Sequence, residues 1–160
     1  MMIGAAAGVA GCSAVTEPDI PTYFGPDVTR IQVFKEQRKM QLLHHNSLLR
    51  QYDVALGFNP REHKQQEGDG RTPEGAYLIN RQNPNSRFHL SIGISYPNAD
   101  DVARARAMGV HPGGDIFIHG TPSPWVGIPD WTWGCIAVSN TEMDEVYSMV
   151  RLGTKIFIYA

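Results

Sequence analysis

Between Arg30 and Gly57 the chain reads RIQVFKEQRKMQLLHHNSLLRQYDVALG, an alternation of apolar and polar residues in short runs. Side chains on a strand point to opposite faces in turn, so a period of two means strands with one face buried. The apolar positions fall around Ile31 and Val33, then Met40 and Leu42, then Leu49, Val54 and Leu56. Polar breaks at Glu36 to Lys39 and His44 to Ser47 separate them. Three strands joined by tight turns satisfy this pattern. A chain with 16 glycines and 11 prolines is rich in turns, which favours a sheet over a helical bundle.

The rest of the chain fits the same plan. Residues 59–75, NPREHKQQEGDGRTPEG, are polar and full of turn formers and read as an exposed loop. Strands resume in GAYLINR and FHLSIGISY, and GGDIFIHG is an apolar strand that ends at His119. Asn98 is placed to cap a short helix, ADDVARARAM, with acidic residues in its first turn, arginines later and Gly109 as its stop. Ser139 with Glu142 three residues on is a capping-box pattern before a helix whose Met143, Val146, Tyr147 and Val150 share a face. TKIFIYA closes as a strand. The expected fold class is α+β and β-rich: one mixed-sheet domain with two or three short helices. With 160 residues, the chain suits one domain with a real core. A net charge of -2 supplies no wide basic surface to neutralise phosphates, so nucleic acid is not an expected partner.

The first eleven residues, MMIGAAAGVAG, are small and apolar and stop at Cys12. The run is too short to span a hydrocarbon layer, which takes about 20 residues, but long enough for a signal h-region. Ala10 and Gly11 before the cysteine resemble the lipobox of bacterial lipoproteins, although no Lys or Arg precedes the apolar run. The resemblance implies a signal sequence over 1–11 with cleavage before Cys12, a lipid on Cys12, and a periplasmic protein held to a membrane by that lipid alone. Ser13 resembles the outer-membrane class, in a Gram-negative bacterium. Pro18, Pro21 and Pro26 mark 12–28 as anchor and linker, and 29–160 as the folded domain.

The chain has two cysteines. If Cys12 carries lipid, Cys135 is left unpaired in an oxidising compartment, which points to thiol chemistry; the alternative is an inert thiol packed as a small hydrophobe. A cysteine nucleophile needs a neighbouring imidazole or cation, because an ordinary thiol is only slightly ionised at neutral pH. Among six histidines, His44, His45, His63 and His111 fall in polar segments and are expected to be solvated, and His89 falls on a strand. His119 alone ends an apolar strand. It is either a structural histidine or the base. Gly134, directly before the thiol, leaves room for a substrate carbonyl to approach backbone N–H groups as an oxyanion hole.

IFIHGT, then TWGCIAVSN, with GDGRTPEGAYLI upstream, resembles the L,D-transpeptidase catalytic domain family (YkuD-like). The resemblance covers roughly Thr29 to Ala160. It implies Cys135 as nucleophile, His119 as general base and acid, Gly120 as the residue whose carbonyl orients the imidazole, and Thr132 and Gly134 in their places before the nucleophile, with Thr132 as a substrate contact. The implied reaction attacks the carbonyl at the L-centre of meso-diaminopimelate in peptidoglycan stem peptides. It forms a thioester and resolves it with an amine or with water, without metal or cofactor; murein-bound lipoprotein is a further implied partner. A monomer suffices. Two positions depart from the usual signature: Trp133 stands where the family has His, and Ala137 where it has Arg. They leave open transfer versus hydrolysis, or a silent binding module. The family's usual Arg would supply a cation near the thiol.

Other residues carry two readings each. Arg71 either clamps a substrate carboxylate or is solvated. Trp125, Trp131 and Trp133 either wall a peptide groove or pack their loop onto the sheet. Tyr96, before Pro97, is a candidate rim residue that contacts substrate. His89 and Ser91 either line the site or satisfy a strand. No His-x-x-x-His or Cys-x-x-Cys pair and no glycine-rich phosphate loop is present.

Overall fold

The computed structural model describes residues 18–160; the proposed signal sequence and Cys12 lie outside the described residues. The chain enters the core at Val28, then forms β1 (Arg30–Phe34), β2 (Lys39–His44) and β3 (Ser47–Asp53). After a long irregular segment come β4 (Gly75–Ser86), β5 (His89–Ile94) and α1 (Ala99–Ala107). These are followed by β6 (Phe117–His119), a single 3-10 turn at Ser123–Trp125, β7 (Ile136–Ala137), α2 (Asn140–Met149) and β8 (Lys155–Tyr159). The strands form one eight-stranded sheet in the order β3-β2-β1-β8-β4-β5-β6-β7. Neighbours are antiparallel except for β1 with β8 and β6 with β7, which makes the sheet mixed. The expected α+β domain with short helices is what the chain forms.

Local signals explain most elements. Along β1, Ile31 and Val33 are buried while their neighbours are partly exposed, and Ile31 sits in register with Ile156 of β8. The caps behave as their sequences require. Asn98 Oδ1 accepts from the Asp101 N–H and Asp101 answers from the Asn98 N–H, and Ser139 and Glu142 do the same for α2. Met143, Val146 and Met149 of α2 are buried, as is Val150 just past its end, while Tyr147 packs at the margin of the core.

Three features depart from the alternation read in the sequence, and all three bear on the site. β3 ends at Asp53, and Ala55 to Gly57 swing across to pair with Ala137 and Thr132, so the end of the first sheet edge covers the last strand. The Ala55 N–H donates to Ala137 O at 2.9 Å, and the Ala137 N–H returns to Ala55 O at 2.8 Å. β4 runs past Arg81 through Pro84 to Ser86; a register shift between Asn83 and Ser86 accommodates the proline, which has no N–H for a ladder. β7 is only two residues long, below the reach of any periodicity.

Candidate active site

His119 ends β6 and Cys135 immediately precedes β7, and these strands pair in parallel with Ile118 opposite Ile136 and His119 opposite Ala137. The pairing carries the two side chains to one cleft of about 300 Å³, which Phe88, Ser91, Phe117 and Asn85 also line. A second cleft of about 240 Å³ shares Cys135 and Asp115 with the first and is walled by Lys64, Glu67 and Trp133. His119 is buried at 3% exposure, whereas Cys135 is half-buried at the meeting of both clefts.

The imidazole is fixed. His119 Nδ1 lies 2.7 Å from Gly120 O, and since a carbonyl only accepts, Nδ1 carries the proton. In the neutral ring Nε2 is therefore the basic atom, and among the described residues no group hydrogen-bonds it. The ring is stacked on Phe88, with centroids 4.6 Å apart, and meets Trp131 edge-on at 5.6 Å.

The loop before Cys135 is held by its own turn. Thr132 Oγ1 donates to Cys135 O at 2.7 Å and accepts from the Gly134 N–H at 3.2 Å. Backbone bonds from Thr132 N to Leu56 O and from Phe58 N to Thr132 O stitch the loop to the crossing segment. Gly134 has φ +126, and a Cβ there would come within 2.6 Å of Arg71 O. The missing side chain thus makes room for the carbonyl of the RTPEG turn rather than for a substrate, and the Gly134 N–H is already engaged. Among the described residues, the Cys135 N–H has no hydrogen-bond partner.

Burial is the largest influence on the ionisation of both Cys135 and His119. It pushes the Cys135 thiol up, against a smaller downward pull from the Phe117 N–H and the Lys64 charge. It pushes His119 down, opposed by the Gly120 carbonyl. Both directions disfavour the charged forms, which favours a neutral thiol and a neutral imidazole. Lys64 is 3% exposed and spends its ammonium on Asp69 Oδ1 at 2.8 Å and Gln66 O at 3.0 Å.

Several expectations need correction. Tyr96 is 5% exposed with its hydroxyl donating to Pro112 O at 2.8 Å, and borders neither cleft, so it is a core residue and not a rim contact. Thr132 is likewise buried, and its hydroxyl is committed to the loop instead of facing substrate. Arg71 is not simply solvated: its guanidinium meets Glu62 at 3.0 Å, while its Nε is buried without a partner among the described residues. His63 is held by the Glu74 N–H and by Asp101, not solvated. Ala137 is 2% exposed and borders a groove under Trp125 and Trp131 rather than either cleft at the thiol.

His89 does satisfy its strand, through Asp144 of α2 at 2.6 Å, while Ser91 lines the first cleft. The tryptophans divide. Trp131 packs between Trp125 and His119, whereas Trp133 is 71% exposed at the second cleft, edge-on to Phe58. Sequence reasoning passed over Phe88 and Lys64. The sole available signals were an aromatic at a hairpin turn and a lysine in a polar loop, neither of which points to a site.

The sequence profile of the L,D-transpeptidase catalytic domain (YkuD) matches residues 28–158, and the chain belongs to that family. It is 34% identical to YafK of Escherichia coli strain K12, a candidate L,D-transpeptidase, over 90% of this chain and 57% of that protein. Among solved structures it resembles the helical cell shape determining protein Pgp2 of Campylobacter jejuni, with TM-score 0.64 and 22% identity over 89% of this chain and 51% of that one. Bd1075 of Bdellovibrio bacteriovorus gives TM-score 0.61 at 25% identity, over 83% of this chain and 47% of that one. The chain thus spans only about half the length of these relatives.

Proposed function

We propose that this chain is a periplasmic cysteine acyltransferase acting on stem peptides of peptidoglycan that contain meso-diaminopimelate. The observation that carries the reading is the placement of His119 and Cys135 in one cleft, with Nδ1 tied to Gly120 O and Nε2 left as the basic atom. Family membership and the YafK likeness support the same chemistry. Lipid on Cys12, in the outer-membrane class, belongs to this proposal and supplies the membrane tether.

In the reaction, Cys135 Sγ attacks the carbonyl carbon at the L-centre of diaminopimelate as Nε2 of His119 takes the thiol proton. The carbonyl π pair moves onto oxygen, where the unpartnered Cys135 N–H is available as a donor. Collapse of this intermediate breaks the C–N bond, and the imidazolium returns its proton to the departing amine, leaving a thioester. An acceptor amine then attacks the thioester, loses a proton to His119, and Sγ leaves and is reprotonated.

Water in place of the amine gives hydrolysis, which is the second reading. It is favoured by the state of Lys64: its ammonium is spent on Asp69 and Gln66 O, so it is not free to hold an acceptor's carboxylate beside Trp133. Incubating the purified chain with diaminopimelate-containing muropeptides, with and without D-amino acid, and weighing the products separates the two. Exchanged peptides establish transfer; shortened peptides alone establish hydrolysis; unchanged peptides contradict both.

A further inference from the structure

The His119 ring is not held by its own strand alone. Its position depends on the turn between β4 and β5, where Phe88 makes two contacts at once. The Phe88 ring lies over the imidazole with centroids 4.6 Å apart and planes 26° from parallel. Its carbonyl accepts the Gly120 N–H at 3.0 Å, next to the Gly120 carbonyl that holds Nδ1. The next residue, His89, has φ +75, a left-handed conformation that is strained for a non-glycine residue. It is kept there by Asp144 of α2, 2.6 Å from Nε2 and largely buried. The same helix holds the far side of the histidine through Asn140 Oδ1, which accepts the Thr121 N–H at 2.9 Å. Gly120 leaves no slack between them: a Cβ there would sit 2.8 Å from Phe88 O and 3.0 Å from the His89 Cβ.

We propose that Phe88 is a positioning residue for His119, and that the His89–Asp144 pair on α2 sets Phe88. The aromatic face fixes the imidazole rotamer and excludes water from one side of the ring. The carbonyl fixes the peptide that selects the tautomer. Charged and titratable groups reach this ring from few directions: Arg87 and His89 on the hairpin, Asp115 and Cys135 across the cleft, and Asp144 only through His89. None of them stacks on the imidazole, so the environment that Phe88 provides is chiefly desolvation.

The inference rests on the proposed thiol chemistry, and its test includes a readout that needs no substrate. ¹⁵N NMR titration of His119 in the natural chain should show the Nδ1–H tautomer and a midpoint below the ordinary imidazole value. In Phe88→Ala the midpoint should rise toward about 6.5 as water reaches the ring, while the Nδ1–H tautomer persists because the backbone carbonyl at position 88 remains. Phe88→Tyr, which keeps the aromatic face, should retain the natural titration. Asp144→Asn, which weakens the support of His89, should fall between. On muropeptides, Phe88→Ala should lower kcat about 10- to 100-fold with KM little changed, since a misaligned base costs turnover more than binding.

An unshifted His119 titration in folded Phe88→Ala overturns the proposal, as does a Phe88→Tyr variant that titrates like Phe88→Ala. A loss confined to KM makes Phe88 a substrate contact and also overturns it. Inactivity of the natural chain on every muropeptide, with the titration shifts as described, would instead count against the reaction assigned above and leave the positioning role standing.

Discussion

At the scale of single residues, the neutral pair has a pH signature. Burial lowers His119 and raises Cys135, so the reactive form is imidazole with thiol, and it persists between the two titrations. kcat/KM should fall on the acid side with a midpoint below about 6.5, where Nε2 gains a proton, and on the alkaline side only above about 8.5. Iodoacetamide labelling of Cys135 across pH checks this; a labelling midpoint well below 7 would mean a resting thiolate. Gly134→Ala should cost roughly 1–3 kcal/mol from its positive φ, with the Arg71 carbonyl adding to the strain, a loss readable in thermal melts. Gly134 was visible in the sequence as a residue that must lack a side chain, but the reason lies in a turn more than sixty positions upstream, which no local pattern displays. His119 stood out because it ends an apolar run, and Cys135 because it is left as an unpaired thiol directly behind a glycine. Tyr96 was misread because proline beside an aromatic suggests a rim, and nothing nearby in the chain announces the Pro112 carbonyl that its hydroxyl finds.

Among elements, the legible ones were those with caps, alternation or an apolar run between turn formers: β1, β2, β3, the start of β4, β5, β6, β8 and both helices. Their signals are local, a side-chain oxygen at an N-cap or a period of two, and survive without tertiary context. β7 was hidden because its two residues gain strand geometry only from β6 on one side and Ala55 on the other. The late part of β4 was hidden because Pro84 argues against a strand unless a bulge is known to be there. α2 supports the site as well as the core, through Asn140 and Asp144. Ser139→Ala, which removes the α2 cap, should therefore destabilise the chain by about 1 kcal/mol in urea unfolding. An unchanged midpoint would show that packing of Met143, Val146 and Met149 alone fixes the helix.

Over the whole molecule, the sheet turns back on itself through Ala55 to Phe58, and the long irregular segment before β4 is pinned to it by a buried lysine. Lys35 is 2% exposed and donates to Glu62 O at 2.5 Å, Thr72 O at 2.9 Å and Glu74 Oε1 at 2.8 Å. Burial, the largest influence on it, lowers its pKa, and Glu74 opposes that shift. Lys35→Met would leave those acceptors without a donor and should cost roughly 2–4 kcal/mol, less than for a fully buried pair because Glu74 is a quarter exposed. Hydrogen exchange should show the loss first in residues 62–74, which include the Arg71 carbonyl against Gly134. Lys35 lies within the first alternating stretch of the sequence, where a lysine between strands reads as solvated; its burial is a property of the closed fold.

The account turns on a covalent bond to one sulfur. Intact-protein mass spectrometry of the chain, quenched in acid during turnover of a diaminopimelate-containing tetrapeptide, should reveal an added mass equal to the peptide less its departing amine. Peptide mapping should place it on Cys135, and Cys135→Ala, folded as shown by its melting curve, should carry none and form no product. Product formation by Cys135→Ala, or an adduct mapped to any other residue, would contradict the assignment of Cys135 and His119 as the reactive pair.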